Sequence, residues 1–131
     1  MSDRPSAPSD SRGRLARSIG YAFRGIGILL RTQANARIHA AATVLVLAAG
    51  FWFRISRGEW GAVIAAIGLV WTAEGVNTAI EAVVDLVSPD SHPLAGRAKD
   101  VAAGAVLCAA IAALVIGVLI FGPRVWALVA G

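Results

Sequence analysis

The stretch Trp60-Gly-Ala-Val-Ile-Ala-Ala-Ile-Gly-Leu-Val-Trp71-Thr-Ala-Glu74-Gly-Val-Asn77-Thr-Ala-Ile-Glu81-Ala-Val-Val-Asp85-Leu-Val87 decides the architecture. Trp60 to Ala73 holds no ionisable residue. As a helix the whole run rises about 42 Å, at ~1.5 Å per residue. That exceeds the roughly 30 Å of a bilayer's hydrocarbon, so such a helix crosses a membrane and stands out of it at one end. Glu74, Asn77, Glu81 and Asp85 lie at wheel angles of about 0°, 300°, 340° and 20°, a single narrow face. Ionisable groups on a membrane helix are costly and normally face a bundle interior, water or a ligand. Three carboxylates and an amide on one stripe repel one another unless a cation or donor intervenes.

Two further apolar runs flank this one. Ile38 to Phe53 is short for a span, but His39 and the neighbouring arginines can snorkel, and Phe51, Trp52 and Phe53 end it as an aromatic belt. Arg54 to Glu59 reads as a short polar loop. Ser88 to Pro93, with two prolines and Asp90, is a second loop. Val101 to Phe121 follows a polar segment, Leu94 to Asp100, and is expected to end at Pro123. Ala105, Ala109, Ala113 and Gly117 recur every four residues, a stripe that permits close helix packing in lipid. Upstream, Leu15, Ile19, Ala22, Phe23, Ile26, Leu29 and Leu30 recur at helical spacing, with Arg14, Arg17, Arg24 and Arg31 opposite. This is a basic amphipathic helix suited to the membrane surface. Residues 1–13 offer almost nothing to bury and read as a disordered tail, not a secretory signal. The expected fold is therefore all-α: a surface helix over about 14–34 and transmembrane helices over about 36–54, 60–87 and 94–121, in one membrane domain spanning 14–131.

Composition agrees. The 131 residues are 57% hydrophobic and 15% charged, with mean hydropathy +0.70. A soluble domain of this size has too little interior to hide that much apolar surface. The net charge is +4. Because the basic residues flank apolar runs, they fit topology and anionic headgroups better than nucleic acid. Seven arginines precede the first span, and Arg97 and Lys99 lie near the second loop; Arg54, Arg57 and Arg124 fall on the other side. The excess of Lys and Arg places the N-terminus in the cytoplasm and the C-terminus outside, in the cell (inner) membrane. The lone Cys108 excludes an intrachain disulfide and reads as a small core residue.

Near the acidic stripe, the surface helix can bring Arg14, Arg24 and Gln33. The start of the first span can bring Asn35, Arg37 and His39, and the second loop with the next helix Asp90, His92, Arg97, Lys99 and Asp100. Carboxylates suit Mg²⁺, and Lys and Arg suit phosphate oxygens. There is no Walker A loop, kinase glycine loop or Rossmann glycine pattern. The residues alone define an interfacial site for a cation and an anionic ligand. His39 reads most simply as hydrogen-bonding at headgroup level, Asp85 as finishing its helix in water, Tyr21 equally as an interfacial anchor, and His92 also as a plain loop residue. Trp52, Trp60 and Trp126 read as anchors, and Trp71 as packed.

The motifs Glu74-Gly-Val-Asn77-Thr-Ala-Ile-Glu81-Ala-Val-Val-Asp85 and His92-Pro-Leu-Ala-Gly-Arg-Ala-Lys99-Asp100-Val-Ala-Ala-Gly-Ala-Val resemble the small prokaryotic diacylglycerol kinase family, over roughly Arg14 to Phe121. Asn35-Ala-Arg37-Ile-His39 resembles its undecaprenol-kinase branch. The resemblance implies a homotrimer that moves the γ-phosphate of ATP to a lipid hydroxyl, undecaprenol or diacylglycerol, at the cytoplasmic interface. It implies Glu74 as catalytic base with Asn77 supporting it, and Glu81 as a metal carboxylate. It assigns Lys99, Asp100, Asp90, His92, Arg14 and Tyr21 to the nucleotide. Gln33 departs from the pattern, standing where many relatives carry a second metal-binding glutamate; its amide oxygen can ligate Mg²⁺ but adds no charge. Two other classes are a small transporter using the stripe as an ion path, and a non-catalytic membrane adaptor. Against transport, Trp60 to Ala73 provides no polar path.

Overall fold

The computed structural model describes residues 11–131, which form four helices: α1 (Ser11–Thr32), α2 (Ala34–Trp52), α3 (Arg57–Val87) and α4 (Pro93–Ala130). Of the expected tail, residues 1–10 lie outside the described residues, and residues 11–13 form the first turn of α1. Helices α2, α3 and α4 are each long and apolar enough to cross a membrane. They expose large side chains such as Leu45, Leu107, Leu114 and Leu119, as suits surfaces whose solvent is lipid.

The break between α1 and α2 is a single residue. Gln33 is extended (φ −106°, ψ 119°), while its N–H still reaches the Leu29 carbonyl at 2.9 Å. The turn from α2 to α3 is built more elaborately than a polar loop. Arg54 adopts φ 50°, its N–H donates to the Phe51 carbonyl, and the Ile55 N–H donates to the Gly50 carbonyl. This pair of bonds is a Schellman motif, with arginine in the left-handed position that glycine usually takes. Its apolar partner Ile55 is buried with Val63 and Ile120. Ser56 then opens α3 through a capping box: its hydroxyl accepts from the Glu59 N–H, and Glu59 accepts from the Ser56 N–H at 2.7 Å. Ser56-Arg-Gly-Glu59 is legible in the sequence as that motif, so α3 begins at Arg57 rather than Trp60.

Trp60 is more than an anchor. It lies half-buried against Gly50, where an added Cβ would come within 2.6 Å of the indole Cη2. Gly50 is thus required for the close approach of α2 and α3. Trp52 and Trp126 are exposed, as anchors should be. Trp71 packs, and its indole N–H donates to Thr43 Oγ1 at 3.1 Å.

Helices α3 and α4 make the most extensive interface. They run antiparallel, fastened at both ends by ion pairs. Arg124 meets Glu59 at 2.9 Å, and Lys99 meets Asp85 at 2.5 Å. Glu59 and Asp85 lie 26 positions apart, and Lys99 and Arg124 lie 25 apart. Both separations correspond to about 38–39 Å of helix, so the helices match without slippage. The buried face of α4 follows Ala102, Val106, Ala109 and Ile120, with Ala113, Ile116 and Gly117 half-buried between. Within the chain, Ala109, Ala113 and Gly117 of the expected stripe lie toward α3 and Ala105 is exposed, because two packed helices contact at alternating steps of three and four. Cys108 is likewise exposed, because Val106 and Ala109 take the inward face.

Pro123 does not end α4, contrary to expectation; the helix continues to Ala130. Proline removes the backbone donor that would serve the Leu119 carbonyl, and the helix beyond it is held from the side instead. Arg124 donates a guanidinium N–H to the Ile120 carbonyl while its other end holds Glu59 of α3. A helix fastened sideways in this way tolerates an internal proline, as membrane helices commonly do.

Candidate active site

The buried stripe of α3 runs Val63, Ala66, Val70, Glu74, Asn77. Spacings of three and four keep it on one face, and that face changes from apolar to polar at Glu74. Burial then declines along the stripe: Glu74 is 1% exposed and Asn77 8%, Glu81 is half-buried, and Asp85 is exposed. Asn77 Nδ2 donates to Glu81 Oε1 at 3.1 Å, one turn along. Asn77 Oδ1 and Glu74 Oε2 are both buried and lack a hydrogen-bond partner among the described residues. Buried polar atoms are nearly always satisfied, so an orphaned carboxylate oxygen calls for a partner: a water, a ligand or a reacting group. Neighbours of α3 within the chain already cover Glu74 and Asn77.

His39 of α2 faces this carboxylate, its Nε2 3.9 Å from Glu74 Oε2. Its neighbour there is a carboxylate of the site, a contact the headgroup-level reading of His39 did not include. Helices α2 and α3 form an antiparallel hairpin, with His39 thirteen positions before Trp52 and Glu74 fourteen after Trp60. Both therefore lie about 20 Å from the aromatic end of the hairpin, and equal depth puts them face to face. Thr43 fixes the register one turn away, accepting from Trp71 and donating to the His39 carbonyl at 2.7 Å.

A second group gathers where α3 meets α4. Asp85, Ser88, Asp90, His92, Gly96 and Lys99 line a hollow of about 350 Å³. Lys99 is paired with Asp85, which is therefore not simply a solvated helix end. His92 caps α4, its Nδ1 accepting from the Leu94 N–H at 3.1 Å, and Pro93 takes the first helical position. Ser88 donates to the Asp90 carbonyl and holds the loop in shape. Arg14 and Tyr21 lie exposed on α1, with Arg24 over the Tyr21 ring at 5.8 Å. Gln33 is half-buried at the α1–α2 junction and its side chain caps nothing. Asp100 is exposed on α4. Among the described residues, no hydrogen bond or ion pair joins Arg14, Tyr21, Gln33 or Asp100 to either group.

Fold and site define a small helical membrane protein with a polar site in one half of its bundle. The profile of the family described as prokaryotic diacylglycerol kinase matches residues 20–121. The chain is 45% identical over 111 residues to the undecaprenol kinase of Bacillus subtilis (strain 168), covering 85% of this chain and 90% of that one. It is 33% identical over 102 residues to the diacylglycerol kinase of Escherichia coli (strain K12), covering 78% and 84%. A diacylglycerol kinase of Synechocystis sp. matches at 43% over 101 residues, but this chain spans only 58% of that longer protein. The chain belongs to the prokaryotic diacylglycerol kinase family. It is a lipid kinase.

Proposed function

We propose that this lipid kinase transfers the γ-phosphate of ATP to the hydroxyl of undecaprenol at the cytoplasmic face of the inner membrane. The observation that carries the reading is Glu74, a buried carboxylate whose Oε2 has no hydrogen-bond partner among the described residues. It lies on α3 about 10 Å deeper than Glu81, within reach of a lipid hydroxyl but away from bulk water. The preference for undecaprenol rests on the Bacillus subtilis relative and on Asn35-Ala-Arg37-Ile-His39.

Glu74 accepts the proton of the lipid hydroxyl as its oxygen attacks the γ-phosphorus. The bond to the β,γ-bridging oxygen breaks and ADP leaves. Asn77, with its amide nitrogen held by Glu81, keeps Oδ1 free to orient the hydroxyl. Glu81 and Gln33 would hold Mg²⁺. Among the described residues no three His, Cys, Asp or Glu side chains gather as a closed cage. The oxygen donors of Glu81 and Gln33 fit an ion that takes one or two protein ligands and completes its shell with phosphates and water. When bound, Mg²⁺ neutralises phosphate charge. Lys99 exchanges Asp85 for phosphate oxygens. Asp100, Asp90, His92, Arg14 and Tyr21 complete the nucleotide side. Helix α1 lies on the membrane surface, its exposed Leu15, Ile19, Phe23 and Ile26 in the acyl boundary. The N-terminus is cytoplasmic, the C-terminus is outside, and three copies associate.

The test is γ-labelled ATP with undecaprenol and diacylglycerol side by side, each in mixed micelles with purified protein. Faster labelling of undecaprenol is expected. Preference for diacylglycerol would reverse the substrate assignment, and labelling of neither lipid would remove the proposed reaction.

A further inference from the structure

Glu74 is a buried carboxylate in need of a partner, and the residues around it are mostly committed. Asn77 gives its amide hydrogen to Glu81, and Lys99 is taken by Asp85. The side chain aimed at the orphaned Oε2 is His39, with Nε2 at 3.9 Å. That separation is longer than a hydrogen bond, so the pair bonds only when one side chain turns toward the other. The approach is fixed by the chain itself: the Thr43–Trp71 bond pins α2 to α3 next to this contact, four residues from His39 and three from Glu74. His39 also differs from Glu74 in access. Its side chain is 18% exposed against 2%, while the cavity of about 90 Å³ beside it, between α2, α3 and α4, is apolar apart from His39 and Thr43 and offers the proton no path.

We propose that His39 is a positioning residue and proton acceptor for Glu74, completing a Glu–His pair that drains the catalytic proton. The inference rests on Glu74 being the base. The lipid O–H bond breaks, its proton goes to the Glu74 carboxylate, and the oxygen's electron pair forms the bond to phosphorus. The proton on Oε2 then passes to the Nε2 lone pair of neutral His39. The resulting imidazolium gives its proton to water that enters from the nucleotide side of the site, and Glu74 returns to the carboxylate. A buried base with no such exit would have to release its proton through an apolar surround, where a charged or unsatisfied group is expensive. The imidazole also offers Glu74 a charge-assisted hydrogen bond when protonated, which holds the carboxylate in one orientation.

The test compares His39→Ala and His39→Gln in full-length protein, measuring kcat, the KM for Mg·ATP and thermal stability in detergent. Glutamine keeps a polar group of similar reach but cannot carry the proton. Both variants should lose turnover, by on the order of 10- to 100-fold, while the KM for Mg·ATP stays within about two-fold; loss of a general base itself costs about 10²- to 10⁴-fold. Added imidazole should restore His39→Ala several-fold by entering the space the ring leaves, and should leave His39→Gln slow. Near-normal turnover in His39→Gln, or a His39→Ala variant that imidazole does not rescue, overturns the proposal. If His39→Ala does not fold, His39→Gln decides alone: slow turnover with normal stability and KM supports the pair. In a Glu74→Gln background, His39→Gln should slow the residual rate no further; a further loss means that His39 acts independently, which also overturns it. Full turnover in Glu74→Gln alone strikes instead at the assignment of the base.

Discussion

Glu74 and Glu81 share a face of α3 yet occupy different surroundings, one sealed and with Oε2 unpartnered among the described residues, the other half-buried and bonded to Asn77. Two turns, about 10 Å, separate them, so they cannot touch the same reacting atom. Substituting Glu81→Gln is expected to weaken Mg·ATP binding, with partial recovery at excess Mg²⁺; a KM for Mg·ATP unchanged from the parent would place Glu81 away from the metal. Gln33→Glu adds a negative charge at the α1–α2 junction, and opposite charges at short range attract strongly away from bulk water. Half-saturating Mg²⁺ should fall in that variant, and an unchanged or higher value would show that Gln33 is remote from the ion. The acidic stripe was fully legible in the sequence because helical periodicity alone assembles it. The partner across the gap was not. His39 sits on another helix, and its depth emerges only when residues are counted from the aromatic end of the α2–α3 hairpin.

The helices were legible from their apolar runs, their ends less so. Trp60 read as the start of α3 because it begins the apolar run, whereas Ser56 and Glu59 start the helix through backbone capping. Pro123 read as a terminator because its effect on the backbone is local and certain, while the hold of Arg124 on Glu59 that keeps the helix beyond it in place is tertiary. The α2–α3 turn makes two opposed predictions. Arg54 holds φ 50°, where a non-glycine residue costs roughly 1–2 kcal/mol, so Arg54→Gly should stabilise the protein, offset in part by glycine's greater freedom when unfolded. Gly50→Ala forces a methyl into the Trp60 ring and should destabilise by about 1–3 kcal/mol, as overpacking does. Thermal midpoints in detergent check both. Equal midpoints for parent and Gly50→Ala would mean that α2 and α3 separate more readily than this packing implies.

At the scale of the whole molecule, the matched ion pairs at the two ends of α3 and α4 span more than the hydrocarbon thickness, so the bundle stands out of the membrane on at least one side. Measured from Trp60, about 30 Å of hydrocarbon ends near residue 80, which leaves Glu81 at the boundary and Asp85 and Lys99 beyond it. On the proposed function the site therefore faces two solvents: a lipid alcohol would approach Glu74 from the acyl side, and nucleotide would approach Lys99 from water. Exposed apolar faces on α2, α3 and α4 leave room for self-association, and mass measurement in detergent should give a trimer. An active monomer alone would refute that stoichiometry. The most direct test of the central claim is the initial rate of γ-phosphate transfer to undecaprenol at saturating Mg·ATP, compared between the parent protein and Glu74→Gln. The account predicts transfer by the parent, a loss of about 10²- to 10⁴-fold in the variant, and Mg·ATP binding nearly intact. Near-normal transfer by Glu74→Gln would contradict it.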